Sequence, residues 1–95
     1  MPYDVYILAS KPQGTLYSGV TNDLIRRVYE HRTDAVAGFT KRYDVHSLVY
    51  FESTENVGSA IHREKRLKKY PRAWKCPLIE GAHPDWHDLN PGLAV

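Results

Sequence analysis

Short apolar runs along the chain predict three β-strands. Residues 5–9 form a continuous run of strand-forming side chains, and a second strand-like run at residues 16–21 follows a turn that contains Pro12 and Gly14. These two runs predict a hairpin. Residues 47–51 predict a third strand, which we expect at the centre of the sheet because both of its faces are apolar.

The length of the hairpin loop decides which side chains share a face of the sheet. A loop of Pro12 and Gln13 alone pairs Leu8 with Tyr17 and Tyr6 with Gly19, so that both tyrosines lie on one face. A three-residue loop would place them on opposite faces. A glycine inside a strand, such as Gly19, marks a bulge or a close approach of another group.

The first helix is predicted from residue 22 or 23 to about residue 31. Either Thr21 or Asn22 can cap it, and an aspartate follows at the positive end of its dipole. Its inward stripe carries a leucine and a valine. Arg27 and His31, four residues apart, flank this stripe together, so they are expected to point at one site.

The second predicted helix contains a carboxylate in an apolar stripe. It follows start signals at residues 53–56, extends to about residue 69 and stops before Pro71. Ala60, Glu64 and Leu67 fall on one side of it. A buried carboxylate needs a cation, an arginine or hydrogen-bond donors. The alternatives are a structural ion pair with an arginine, or a helix turned so that Glu64 is exposed.

Composition and charge set the class of the protein. The chain of 95 residues, 42% apolar and 25% charged, predicts one globular domain at residues 1–83, with a tail at 84–95 that Trp86 and Leu89 fasten to it. No apolar run reaches membrane-spanning length and the amino terminus lacks the pattern of an export signal, so a cytoplasmic location is expected. With Cys76 as its only cysteine, the chain forms no internal disulfide.

Positive charge is concentrated on the second helix and just beyond it. The net charge is only +2, but a basic stretch with nearby aromatic side chains can bind a phosphate backbone and stack on unpaired bases. A solvated helix face is the alternative. The candidate nucleic-acid contacts are Lys41, Arg42, Arg63, Lys65, Arg66, Lys68, Lys69 and Arg72, with Tyr70 and Trp74 as candidate stacking residues.

Four widely spaced residue types resemble the active site of a known family. Tyr6-Ile7 lies in the first strand and Tyr17-Ser18-Gly19 in the second, Arg27 lies on the first helix and Glu64 on a later one. In this combination, over about residues 2–75, the chain is similar to the GIY-YIG nuclease domain, in its small single-domain branch.

The resemblance implies a fold, an activity and a set of catalytic residues. The fold is α/β, with a three-stranded, mainly antiparallel sheet flanked by helices. The activity is metal-dependent hydrolysis of DNA phosphodiester bonds, with Tyr6, Tyr17, Arg27 and Glu64 in the active site and Glu64 as the metal ligand. His31 stands where family members often place a residue that assists proton transfer.

The resemblance also implies a substrate and a partner protein. Family nucleases generally obtain target choice from appended modules or partner proteins, so we expect a DNA substrate, irregular or branched, a partner protein that supplies specificity, and no membrane. DNA repair or recombination is the expected setting.

The chemistry of phosphodiester hydrolysis agrees with the implied active site. Phosphodiester hydrolysis needs a base, a cationic group for the phosphate and a metal ion. A free tyrosine is only about 0.1% ionised at neutral pH, so Tyr6 or Tyr17 acts as the base only if Arg27 or the metal lowers its pKa. A single carboxylate suits Mg²⁺, or Mn²⁺, whereas zinc requires more nitrogen or sulfur ligands.

Three departures from the family pattern stand out, and two other interpretations remain open. Asp4-Val5-Tyr6 stands where the first family motif reads Gly-Ile-Tyr, and Ser18 stands where the second motif has an isoleucine. Residues 71–76 lack the asparagine that many family nucleases carry there. The alternatives to a nuclease are a nucleic-acid-binding module of the same fold without turnover, and a purely structural role in which Glu64 pairs with Arg27.

A zinc site at His83 and His87 is only weakly indicated, because Pro84 between them argues against one continuous helix and too few ligands remain.

Overall fold

The computed structural model describes residues 2–11, 14–32, 45–82 and 86. The predicted fold is confirmed, with an antiparallel three-stranded sheet and three helices. No helix in these ranges has both the length and the apolar character needed to cross a bilayer. The elements, in chain order, are β1 (Tyr3–Ala9), β2 (Leu16–Thr21), α1 (Leu24–Arg32), β3 (Ser47–Thr54), α2 (Val57–Lys69) and α3 (Arg72–Ala82).

The hairpin has the register expected for a two-residue loop. Leu8 pairs with Tyr17 and Tyr6 pairs with Gly19 across the antiparallel β1–β2 ladder. Side chains alternate between the two faces of a strand, so Tyr6 and Tyr17 share one face. The loop residues Pro12 and Gln13 themselves lie outside the described residues.

The third strand is not central, and that prediction was wrong. The strand order is β2-β1-β3, so β1 is the central strand and β3 lies at an edge. β3 is apolar on both sides because helices cover both faces of the sheet. An irregularity in its pairing with β1 lets Leu48 pack beside Tyr6 on one face while Val49 packs beside Ile7 on the other.

The helices lie on opposite faces of the sheet. Leu24 and Val28 of α1 pack on the face that carries Tyr6. Ala60 and Leu67 of α2 pack with Val5 on the other face, where α3 also contributes to the core. Any site that combines α1 with α2 must therefore form around an edge of the sheet.

Local capping explains where α1 and α2 begin. The Asp23 carboxylate accepts a hydrogen bond from the backbone N–H of Arg26 at 3.3 Å, so α1 starts one residue later, at Leu24. Asp23, rather than Thr21 or Asn22, is its cap. Asn56 caps α2 by accepting from Ser59 N at 2.9 Å.

The carboxy-terminal part contains a helix that the sequence pattern did not predict. α3 begins directly after Pro71, whose carbonyl accepts from the backbone N–H of Lys75 at 3.1 Å. Further along, Trp86 is buried against β1 and β3, and its indole N–H donates to Glu80 at 2.9 Å. Leu89, His83 and His87 lie outside the described residues.

Candidate active site

The hydroxyl of Tyr6 lies at the centre of the candidate site. Tyr6 projects from the central strand and is almost fully buried. Its oxygen lies 3.3 Å from Nε2 of His31, which is itself only 1% exposed. The ring of Tyr17 lies 6.4 Å from that of Tyr6 and 5.4 Å from that of His31. The three rings therefore form one aromatic cluster on the α1 face of the sheet.

Arg27 reaches the same hydroxyl from α1. Burial raises the pKa of Tyr6, while a side-chain hydrogen bond from the Arg27 guanidinium lowers it by less. The guanidinium also lies 3.5 Å from the Glu30 carboxylate and is about one third exposed. Arg27 and His31 thus point at one site, as their spacing on the helix predicts.

Burial favours the neutral forms of both Tyr6 and His31. Burial lowers the pKa of His31, and the positive charge of Arg27 lowers it further. With Arg27 donating to the Tyr6 oxygen, the phenolic proton is free to be donated to a neutral Nε2 of His31. A tyrosine that acts as a base needs a lowered pKa, whereas burial raises the pKa of Tyr6.

Gly19 allows the Tyr6 hydroxyl to reach the edge strand. A Cβ atom at this position would lie 2.5 Å from the hydroxyl oxygen and 2.6 Å from the ring carbon that bears it. The predicted close approach at this glycine is therefore the contact with Tyr6. A side chain here would push the hydroxyl away from Arg27 and His31.

We expect Gly19→Ala to disrupt the site. The buried Tyr6 ring has little room to move, so the variant should lose about 1–3 kcal/mol of unfolding free energy and most of the DNA cleavage that the family resemblance leads us to expect. Urea unfolding and cleavage assays measure the two effects. Gly81→Ala is the matched control, because nothing lies within 4 Å of a Cβ there and alanine favours the helix. Equal behaviour of the two variants would contradict the steric role of Gly19.

Glu64 lies in the apolar stripe of α2, as predicted. Its neighbours Ala60 and Leu67 are fully buried, and its own side chain is 13% exposed. One carboxylate oxygen, Oε1, lies 3.2 Å from the ammonium of Lys68. The other, Oε2, is buried and has no hydrogen-bond partner among the described residues. Because Arg27 pairs with Glu30 and not with Glu64, the expected alternative of an Arg27–Glu64 ion pair does not hold.

Glu64 and Arg27 act on the same hydroxyl from opposite faces of the sheet. The negative charge of Glu64 raises the pKa of Tyr6, and the positive charge of the Arg27 guanidinium lowers it. Lys68, the partner of Glu64, lies 6.0 Å from the centre of the Tyr17 ring. Tyr6, Tyr17, Arg27 and His31 therefore form one cluster, and Glu64 is linked to it by its charge and through Lys68.

The predicted nucleic-acid contacts divide into three groups. Arg63 is already paired, since its Nε lies 2.6 Å from Glu52 and its guanidinium also contacts Tyr70. Lys41 and Arg42 lie outside the described residues. The remaining basic side chains, Lys65, Arg66, Lys68, Lys69 and Arg72, are exposed on α2 and at the start of α3.

Two features of the site were not found by sequence reasoning. Lys68 was assigned to the basic surface, although its spacing of four residues from Glu64 could have indicated an ion pair. Lys75 was not singled out, because its position depends on α3. It is half-buried and lines a groove with Tyr17, Ser18 and Lys68.

Comparison with known proteins decides the family. Residues 2–76 match the family model described as the GIY-YIG catalytic domain. The chain belongs to the GIY-YIG family. Such a domain generally indicates nuclease activity on nucleic acid.

Relatives of this GIY-YIG chain are proteins of similar length. A UPF0213 protein from Clostridium perfringens is 41% identical over 75 residues, covering 79% of this chain and 80% of the relative. One from Haloquadratum walsbyi is 37% identical over 76 residues, covering 80% and 84%. The solution NMR structure of a UPF0213 protein from Bacillus halodurans is similar to the GIY-YIG domain described above, with 29% identity, a TM-score of 0.52 and 84% of each chain covered.

The residues at Glu64 fit the divalent metal that GIY-YIG nucleases typically use. The buried Oε2 without a partner is an available anionic oxygen. In the described part of the chain, no three His, Cys, Asp or Glu side chains gather around one point. A lone carboxylate suits Mg²⁺ or Mn²⁺, which retain water ligands and bind phosphate oxygens of the substrate, and does not suit zinc.

Proposed function

We propose that this protein is a metal-dependent endonuclease that hydrolyses phosphodiester bonds of DNA. The observation that carries the proposal is the contact of Arg27 and His31 with the hydroxyl of Tyr6, a group on which the charge of Glu64 also acts. A guanidinium, a proton acceptor and an orphaned carboxylate oxygen are the groups that this hydrolysis requires. In this proposal the enzyme acts in the cytoplasm, in DNA repair or recombination, on irregular or branched DNA, with a partner protein that supplies specificity.

Arg27 is the proposed phosphate-binding group. Its guanidinium is partly exposed, and its contact with Glu30 at 3.5 Å is long for a charge-assisted hydrogen bond, so donors remain for a substrate. Charge that develops on the phosphate oxygens in the transition state would be stabilised by these donors. Because Arg27 also contacts Tyr6, it aligns the phosphate with the proton-transfer group.

Tyr6 and His31 are the proposed proton path. As the oxygen of the attacking water bonds to phosphorus, its proton passes to the Tyr6 oxygen, and the phenolic proton passes to Nε2 of His31. The bond from phosphorus to the leaving oxygen breaks, and that oxygen takes a proton from solvent. His31 then returns its proton to solvent. Tyr17, in contact with both rings, holds their geometry and faces the substrate.

Glu64 is the proposed metal ligand, through its unpartnered Oε2. A bound Mg²⁺ or Mn²⁺ would neutralise the phosphate and assist departure of the leaving oxygen. Lys68 partly neutralises the Glu64 carboxylate through its contact with the other oxygen, Oε1. The exposed basic residues of α2 and α3 would bind flanking phosphates, whereas Arg63 has a structural role through Glu52.

The lowered pKa of the buried His31 predicts that the stability of the protein depends on pH. Its pKa in the folded protein is below the ordinary value of 6.5, so the unfolded chain binds this proton more readily. Stability should therefore fall as the pH decreases from about 6.5 through the pKa of the folded state. When the pH is lowered from 7.5 to 5.5, we expect the free energy of unfolding to fall less in His31→Gln than in the wild type. Urea unfolding at both pH values measures this difference.

The same variant tests catalysis. Cleavage by the wild type should decline on acidification as His31 becomes protonated, and His31→Gln should be slow at every pH without that decline. His62→Gln, an exposed histidine of α2, is the control and should follow the wild type. A wild-type pH profile in His31→Gln would remove His31 from the proton path.

A cleavage assay tests the function as a whole. Purified protein would be incubated with labelled single-stranded, duplex and branched DNA, with Mg²⁺ or Mn²⁺ and, in parallel, with a chelator. We expect strand cleavage that depends on the metal. Salt-sensitive DNA binding without cleavage of any substrate would instead favour the non-catalytic binding module, and neither activity would favour a structural role.

A further inference from the structure

A groove of about 410 Å³ lies next to the catalytic cluster on the side of strand β2. Two lysines from different helices line it, Lys68 from α2 and Lys75 from α3. Leu16, Tyr17 and Ser18 of β2 supply the rest of its lining. The groove therefore has an aromatic and apolar wall that faces two positive charges.

Ser18, in the lining of the groove, has a buried hydroxyl. The residue is only 4% exposed, and its Oγ has no hydrogen-bond partner within the part of the chain that the structure describes. Burying an unsatisfied hydroxyl costs free energy, so an acceptor that reaches this hydroxyl from the groove would be stabilised. A phosphate oxygen is an acceptor that also matches the neighbouring lysines.

The charge of the groove is only partly balanced. Lys68 lies 3.2 Å from Glu64, but its side chain is half exposed. Lys75 forms no ion pair with a carboxylate in the described ranges. Burial lowers the pKa of Lys75, and the positive charges of Arg72 and Lys68 lower it further. An anion in the groove would relieve this repulsion.

We infer that Ser18, Lys68 and Lys75 form a binding subsite for a second phosphate of the substrate strand, next to the one that is cleaved. This inference rests on the proposed nuclease function for the identity of the strand. Lys68 connects the two sites, because it contacts Glu64 and lines the groove. The flanking nucleotide would lie against Tyr17, with its phosphate between the two ammonium groups and the Ser18 hydroxyl.

The first test measures DNA binding by Lys75→Met as a function of salt. A labelled single-stranded oligonucleotide is titrated with chelator present, so that no cleavage occurs. We expect about tenfold weaker binding at low salt, and a fall of about 0.7 in the slope of log affinity against log salt, the value for one lost contact to a single strand. Lys11→Met, the same change at an exposed lysine outside the groove, should keep the wild-type slope.

A second variant and a second probe keep the inference testable if Lys75→Met folds poorly. Ser18→Ala removes the orphaned hydroxyl, so it should fold as well as the wild type while binding DNA several-fold more weakly. Inorganic phosphate, followed by NMR, should shift the backbone amides of Ser18 and Lys75. Much weaker binding of inorganic phosphate than of the oligonucleotide would identify the strand as the ligand, whereas equal binding would identify free phosphate and overturn the strand assignment.

The outcomes separate this inference from the proposed nuclease. Metal-dependent cleavage by the wild type, with an unchanged salt slope in Lys75→Met, an unchanged DNA affinity in Ser18→Ala and no phosphate-induced shift at the amides of residues 18 and 75, would overturn the subsite and leave the nuclease standing. A lowered slope without any cleavage by the wild type would support the phosphate site and count against the nuclease.

Discussion

Glu64→Ala is expected to abolish cleavage while leaving DNA binding nearly intact. The variant removes the buried oxygen that is proposed to hold the metal, and with it the charge stabilisation that the metal supplies. We expect the cleavage rate to fall roughly a thousandfold or more, equivalent to about 4 kcal/mol of transition-state stabilisation. Initial rates at saturating Mg²⁺, together with oligonucleotide titrations, measure the two properties separately.

Metal binding offers a readout of Glu64 that is independent of activity. A ligand that binds only the folded state raises the melting temperature, so Mg²⁺ or Mn²⁺ should stabilise the wild type and not Glu64→Ala. Glu55→Ala, an exposed carboxylate before α2, is the matched control and should keep both the stabilisation and the activity. An active Glu64→Ala protein would falsify the metal assignment.

The second large effect is expected for Arg27→Ala. Loss of the guanidinium removes the proposed phosphate donor and leaves the Tyr6 hydroxyl without its cationic neighbour. We expect a hundredfold to thousandfold loss in kcat/KM, about 3–4 kcal/mol, in line with the removal of one preorganised donor. Arg27→Lys should recover little of this, because an ammonium lacks the fork of donors that binds phosphate.

Arg26→Ala provides the control for Arg27. Arg26 is adjacent, more exposed, and pairs with the same carboxylate, since its Nε lies 3.7 Å from Glu30. The variant should cleave at nearly the wild-type rate. Removal of Arg27 should also raise the pKa of Tyr6 further, measurable from tyrosinate absorbance, and an unchanged titration curve would show that the two groups do not interact.

Much of the site could be predicted from the sequence because its positions are fixed by local rules. The register expected for a two-residue loop places Tyr6 opposite Gly19, and helical spacing brings Arg27 and His31 to one side. A carboxylate in an apolar stripe, as at Glu64, is a conflict that only a function or an ion pair explains. Each of these signals lies within a single element or a single turn.

The errors concern relations between elements. The apolar pattern of β3 predicts a central strand, but an edge strand that is covered on both faces, as β3 is, has the same pattern. α3 was missed because Pro71 and Pro77, a few residues apart, indicate a loop, while in the folded protein Pro71 precedes the first helical residue and Pro77 lies inside the helix. Without α3, the position of Lys75 could not be inferred.

The placement of the reactive groups along the chain has a consequence for synthesis. Tyr6, Tyr17, Arg27 and His31 all lie in the β1-β2-α1 portion, whereas Glu64 lies on the far side of the sheet, on α2. A nascent chain that has exposed only the first portion would hold every group except the proposed metal ligand. If the proposed function holds, such a polypeptide could not cleave DNA, and activity would begin only once the second half of the chain has been synthesised and folded.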